Sequence, residues 1–136
     1  MSDCVFCRIV AKQIPATVVH EDADTLAFMD IGQVNPGHVL VALKAHAENV
    51  FALEEAQAAA VFRTVARVAR GIRAAFAPPG LSVYQANGKP AGQTVFHFHI
   101  HLVPRHDGDG MNLTWPVKNP PRGKLEDYAA KIRAAL

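Results

Sequence analysis

A chain of 136 residues, 50% hydrophobic and 19% charged, is long enough for one domain around a single core and too apolar to be disordered. Its net charge of +2 comes from scattered lysines and arginines, which gives no nucleic-acid stripe and excludes a nucleic-acid partner from the expectation. No apolar run approaches the roughly 20 residues of a membrane span, and the opening Met-Ser-Asp-Cys lacks the basic and apolar regions of a signal peptide, so a cytoplasmic protein without a membrane partner is expected.

In chain order, Cys4 to Lys12 reads as a turn and a short helical piece that Pro15 closes. Val18 to Glu21 and Thr25 to Met29 alternate about Asp22-Ala23-Asp24 and predict a hairpin. Gly32, Asn35, Pro36 and Gly37 mark Asp30 to Gly37 as a loop, after which His38 to Leu43 is an apolar strand. From about Leu53 to Phe76, Val61, Val65, Val68, Ile72 and Phe76 recur at helical spacing, with Arg63, Arg67 and Arg70 largely off that stripe. One long helix is therefore expected, stopped by Pro78-Pro79-Gly80. Leu81 to Ala86 and Val95 to Val103 are the remaining strands, separated by a Gly88 to Gly92 loop. Leu125, Tyr128, Ala129, Ile132 and Leu136 space a short amphipathic helix, reached through the proline-rich segment Trp115 to Gly123. The order reads as α+β: a five-stranded antiparallel sheet with one long helix packed on it and a short C-terminal helix. Residues 1–136 form a single domain in this reading, with 115–136 as a C-terminal extension.

The densest chemistry lies between Asn87 and Arg105. His97, His99 and His101 alternate with Phe96, Phe98, Ile100 and Leu102, the period of a strand, so the imidazoles share one face and the apolar residues the other. At a rise of ~3.3 Å per residue the outer two Cα atoms lie ~13 Å apart, so a straight strand brings two of these imidazoles to one ion but hardly three. At least one histidine needs another job. Cys4 and Cys7, three residues apart, fit a metal knuckle or a redox pair better than a structural disulfide. His20 and His106 have no comparable constellation and read as solvated or turn histidines.

Gly92-Gln93-Thr94 followed by His97-Phe-His99-Ile-His101-Leu-Val resembles the histidine triad (HIT) family, whose pattern is three histidines separated by single apolar residues. Phe28-Met-Asp30-Ile31 before a Pro-Gly-His38 strand, and Lys44-Ala-His46 after it, stand in the family's order. The resemblance spans roughly Cys4 to Arg105 and implies a HIT-like fold and a homodimer. It implies an enzyme acting on purine nucleotide conjugates such as phosphoramidates or dinucleoside polyphosphates. Such an enzyme cleaves at the α-phosphate through a covalent nucleotidyl-histidine. An imidazole near its unperturbed pKa of about 6.5 is largely neutral at physiological pH and can attack phosphorus without a strong base.

Carried over onto this chain, His99 is the nucleophile, His101 the acid or orienting donor, and His38 a fourth histidine directed at the phosphate. Asn87, Gly92, Gln93 and Thr94 take the phosphate side, and Asp30 accepts from ribose hydroxyls. Phe6, Ile9, Phe28 and Ile31 wall the base, although Phe6 and Ile9 taken singly could equally be ordinary core. In zinc-bearing members the two cysteines join two histidines, here His46 and His97, and the resulting Cys2His2 set is closed and structural. No organic cofactor is expected, and neither a Walker loop nor a carboxylate cluster offers magnesium a site. Two other readings stay open: a zinc-dependent hydrolase with His38, His97 and His99 as catalytic ligands, and a noncatalytic nucleotide-binding protein. The sequence leaves the leaving group and base preference undecided.

Overall fold

The computed structural model describes residues 3–136. Helix α1 (Val5–Val10) precedes strands β1 (Val18–Glu21), β2 (Thr25–Met29) and β3 (Val39–Leu43). Then come α2 (Glu55–Phe76), β4 (Gly80–Tyr84), β5 (His99–Arg105) and α3 (Arg122–Ala135). The strands form one antiparallel sheet in the order β1-β2-β3-β5-β4. This is the expected five-stranded sheet with a long helix and a short terminal helix. No helix among the described residues is long and apolar enough to cross a membrane.

Alternation along the strands gives the sheet two unlike faces. On one, Ala27, Val41, Ile100 and Leu102 meet Val61, Val65, Val68 and Ile72 of α2. On the other, Leu26, Phe28, Leu40 and Ala42 are covered by Phe6 and Ile9 of α1. The α2 layer holds twelve buried residues and the α1 layer six, so at about 1.5–3 kcal/mol for each large side chain the first supplies most of the hydrophobic stabilisation. The thinner layer has room for polar groups. His99 and His101 alternate with Ile100 and Leu102, which places both histidines on the α1 face.

A polar bond also fixes α2 to the sheet. Thr64 and Thr25 share a buried hydroxyl contact of 2.7 Å, and Thr64 donates to Asp22 at 3.1 Å. Burial would raise the Asp22 pKa, but the donors at Thr25, Asp24 and Thr64 outweigh it and hold the carboxyl well below its usual range. At the other end of α2, Ala77 adopts a left-handed conformation (φ 46°) ahead of the proline pair. Gly37, at φ +97°, tucks beneath this end, and a Cβ there would lie 3.0 Å from the Phe76 ring.

Four boundaries differ from expectation. β5 begins at His99 rather than Val95, because the chain bends over 95–97, although the Phe98 amide still reaches Ala47 O at 2.7 Å. β4 runs Gly80–Tyr84 rather than Leu81–Ala86, since beyond Tyr84 the side chains of Gln85 and Asn87 pair with each other. α2 starts at Glu55, where the Gln57 side chain accepts from the Glu54 amide at 2.9 Å, and a 3-10 turn at Val50–Ala52 precedes it. The terminal helix begins at Arg122, earlier than its apolar spacing indicates, and buries no residue.

Candidate active site and metal centre

The register of β3 against β5 sets His101 opposite Leu40 and His99 opposite Ala42, with Tyr84 of β4 flanking His101. His99 is tied to its own chain: Nδ1 lies 2.6 Å from the carbonyl oxygen of His97. A carbonyl only accepts, so Nδ1 carries the proton and Nε2 keeps its lone pair. The Phe6 ring stands edge-on to this imidazole with centroids 4.9 Å apart. Burial lowers the His99 pKa against the opposing bond to His97 O and the charge of Asp30, which keeps the ring neutral. The result is an oriented, unprotonated nitrogen.

The neighbouring histidines have the complementary state. The Val34 amide donates to His38 Nδ1 at 3.3 Å, so His38 carries its proton on Nε2. That nitrogen lies 2.9 Å from His101 Nδ1, which therefore accepts, leaving the His101 proton on Nε2. Asp30 Oδ2 sits 3.4 Å from His38 Nε2 and 3.7 Å from His101 Nδ1, while Oδ1 accepts from the Gly32 amide at 2.8 Å. Burial first, then the charges of His99 and His38, lower the His101 pKa to about 4 against the opposing pull of Asp30. His99 and His101, centroids 5.1 Å apart, thus offer a bare nitrogen and an N–H side by side.

Residues without a sequence signal hold this relay. The Gln33 side chain accepts from the amides of Gly37 and His38 and donates to His38 O, fastening the loop that delivers His38. Asn35 donates to Pro104 O and to Asp109, and Asp109 pairs with Arg105 at 2.7 Å, which anchors the same loop to the end of β5. A glutamine and an asparagine in a Pro-Gly loop look like solvated residues until the fold closes over them.

The phosphate-side candidates divide. Gly92, at φ +94°, lies close to the Tyr84 hydroxyl, 3.2 Å from where a Cβ would be, and Thr94 is exposed. Gln93 is only 5% exposed, and its amide is committed within the fold. It accepts from the Gly88 amide and donates to Glu48 O and Val95 O. Asn87 accepts from the Val50 amide at 2.8 Å and pairs with Gln85. In this structure both side chains hold together the loop that carries Gly92 and Thr94. Asp30 faces His38 and His101.

The expected base walls separate too. Phe6, Ile9 and Phe28 are buried together in the α1 layer, whereas Ile31 is fully exposed. A cavity of about 490 Å³ opens beside Asp30 and Ile31, lined also by Thr17, Met29, Gln33 and Val34.

At the far end of the triad, Cys4, Cys7, His46 and His97 bring four ligand atoms within 4.8 Å of one another. His97 Nδ1 is 3.3 Å from Cys4 Sγ, 3.5 Å from Cys7 Sγ and 3.3 Å from His46 Nδ1, and Cys7 Sγ is 3.3 Å from His46 Nδ1. A tetrahedral zinc, at about 2.3 Å from sulfur and 2.0–2.1 Å from nitrogen, spaces S and N ligands about 3.5 Å apart and two N ligands about 3.3 Å apart. The observed spacings fit. His97 Nε2 lies 2.6 Å from Leu43 O, which puts the proton there and frees Nδ1 toward the thiols, as a metal-binding histidine requires. His38, His97 and His99 converge on no common point, because His97 turns to the cysteines and His99 is bonded through Nδ1 to His97 O. This structure therefore does not gather His38, His97 and His99 around one ion.

The HIT domain model matches residues 11–108 of this chain. The chain is 46% identical over 114 residues to Protein hit of Bacillus subtilis, covering 83% of this chain and 79% of that protein. It is 36% identical to the adenosine 5'-monophosphoramidase hnt1 of Schizosaccharomyces pombe, covering 83% of each. A solved structure of a HIT family protein from Bacillus anthracis superposes with a TM-score of 0.95 at 40% identity, over 98% of this chain and 97% of that one. A zinc-bound histidine triad family protein from Mycobacterium smegmatis superposes with a TM-score of 0.76 at 32% identity, over 99% of each chain.

Proposed function

Since this chain belongs to the HIT family, we propose that it is a nucleotide hydrolase or nucleotidyl transferase that cleaves a purine nucleotide conjugate at the α-phosphate. The observation that carries the reading is the tautomer pair: His99 held with Nε2 bare, beside His101 held with Nε2 protonated. In the first half-reaction His99 Nε2 bonds to the α-phosphorus as the P–O or P–N bond to the leaving group breaks, while His101 Nε2–H hydrogen-bonds that group, which takes its proton from water as it departs. Water or another acceptor then attacks phosphorus and loses its proton to solvent as the His99–P bond breaks. Both rings return to their starting states. His38 and Asp30 keep the His101 proton on Nε2 throughout. A relative that is an adenosine 5'-monophosphoramidase supports phosphoramidates as one substrate class.

In the same reading Cys4, Cys7, His46 and His97 hold a structural zinc, which closes α1 onto the start of β5 and supplies no step of the reaction. The protein works as a cytoplasmic homodimer without an organic cofactor, and residues 115–136 extend the domain. Rapid quench with substrate labelled at the α-phosphate tests the chemistry. Wild-type protein should trap label in an acid-labile, alkali-stable bond, and His99→Ala should trap none while keeping nucleotide affinity. If His99→Ala kept more than about a hundredth of wild-type kcat, a loss under ~3 kcal/mol, another nucleophile would have to be assigned.

A further inference from the structure

The side of α2 that borders β1 carries features for which the triad has no use. Arg63, Arg67 and Arg70 rise on successive turns and, with His20, Asp22 and Thr64, line a cavity of about 340 Å³. None of these arginines joins an ion pair among the described residues. Asp22, the one carboxylate in the lining, is already occupied by the amides of Asp24 and Thr25 and the hydroxyls of Thr25 and Thr64. Arg63 and Arg67 stand four apart, a spacing at which like charges weaken a helix. Three positive charges thus line the cavity against the single negative charge of Asp22.

An apolar trough of about 340 Å³ adjoins this cavity and shares His20 and Arg67 with it. Val39, Val68 and Ile72 form its floor, and the half-exposed Val19 and Phe76 stand at its sides. Gly71 lies on this trough in the interior of α2, where glycine is among the poorest helix formers. Packing does not require it, since a Cβ there meets nothing within 4 Å. What the missing side chain does is keep the trough open.

We propose that this groove, on the opposite sheet face from His99, binds a small phosphorylated amphiphile. The phosphate sits on Arg63, Arg67 and Arg70, whose planar guanidinium groups match its oxygens, and the apolar body lies over Gly71. Two joined concave cavities suit a small molecule better than a polymer, which needs a long open stripe.

Calorimetry on the full chain with octyl phosphate and inorganic pyrophosphate tests this. Wild type should bind octyl phosphate, with NMR amide shifts at Arg67 and Gly71 rather than at His99 and His101. Replacing Arg67→Ala and Arg70→Ala together should weaken both probes by about tenfold or more. Gly71→Leu, which favours the helix and whose Cβ meets nothing within 4 Å, should weaken octyl phosphate about tenfold and leave pyrophosphate within about twofold. Shifts at Gly71 with ADP would identify a soluble nucleotide as the source of the chemistry, and cosedimentation with phosphatidic acid vesicles that Gly71→Leu abolishes would identify a lipid. Absence of octyl phosphate binding at about 1 mM overturns the proposal, as does unchanged affinity in the paired arginine variant or in Gly71→Leu.

Discussion

Four histidines of one chemistry acquire separate duties from single hydrogen bonds. A carbonyl at Nδ1 leaves His99 with a bare Nε2, a carbonyl at Nε2 turns His97 toward thiols, and the Val34 amide fixes the direction of the His38–His101 relay. His101→Ala should lower kcat by ~10²–10⁴-fold, the worth of a positioned acid or orienting hydrogen bond, and by less for substrates with good leaving groups. Steady-state rates on a poor and a good leaving group read that difference. Burial also makes His101 a pH sensor of stability. The unfolded residue takes a proton near pH 6.5, whereas the folded one takes it only near about 4. Between those values the unfolded state binds more protons, so stability is full above pH 6.5 and falls as pH drops toward 4. The urea midpoint should be lower at pH 5 than at pH 7.5, with a smaller difference in His101→Ala. The alternation of residues 97–101 made the shared face of these rings legible in the sequence. The tautomers were not, because each depends on a backbone partner brought up by the fold.

Elements explain how two sites share one short motif. β5 starts at His99, so the bend over 95–97 can swing His97 toward α1 while His99 and His101 keep strand geometry. This is the physical resolution of the limit set by strand rise, under which three imidazoles could not serve one ion. α1 is only six residues long, too short to persist alone, and it carries Phe6 onto His99 between the two cysteines. Cys7→Ser should therefore remove about one zinc per chain and lower Tm more than it lowers turnover in the fraction that stays folded. Elemental analysis beside a melting curve checks both, and metal-free wild-type protein, purified without chelator, would defeat the assignment. Strands at 18–21 and 25–29 were legible to the residue, since alternation and an Asp-Ala-Asp turn agree. Gln93 and Asn87 were not, because their partners Glu48 and Val50 lie about forty residues away and no local pattern announces them.

At the scale of the whole molecule, one edge of the sheet is unfinished. β4 is terminal in the strand order, and Val83 on it is 49% exposed. Ala69 and Arg73 of α2 border Gly80 and Leu81, and Phe62, seven residues before Ala69 and so on the same helix face, is 57% exposed. Helix and strand thus each expose an apolar side chain at this margin, while Leu125, Tyr128 and Ile132 of α3 are left at least half exposed. An open strand edge beside exposed aromatic surface invites pairing, and a two-fold partner would extend the sheet and cover the helix margin at once. A stable pairing needs about 800 Å² from each copy, more than a five-residue strand alone offers, which is why the helix face and the tail are required as well. Light scattering at micromolar concentration should give twice the chain mass. Val83→Lys puts a charge on that edge without touching the buried core, so it should shift the protein toward monomer while far-UV circular dichroism stays unchanged. Phe62→Glu should do the same from the helix side. A wild-type monomer, or a dimer indifferent to both substitutions, would mean that this margin is covered by something other than a second copy.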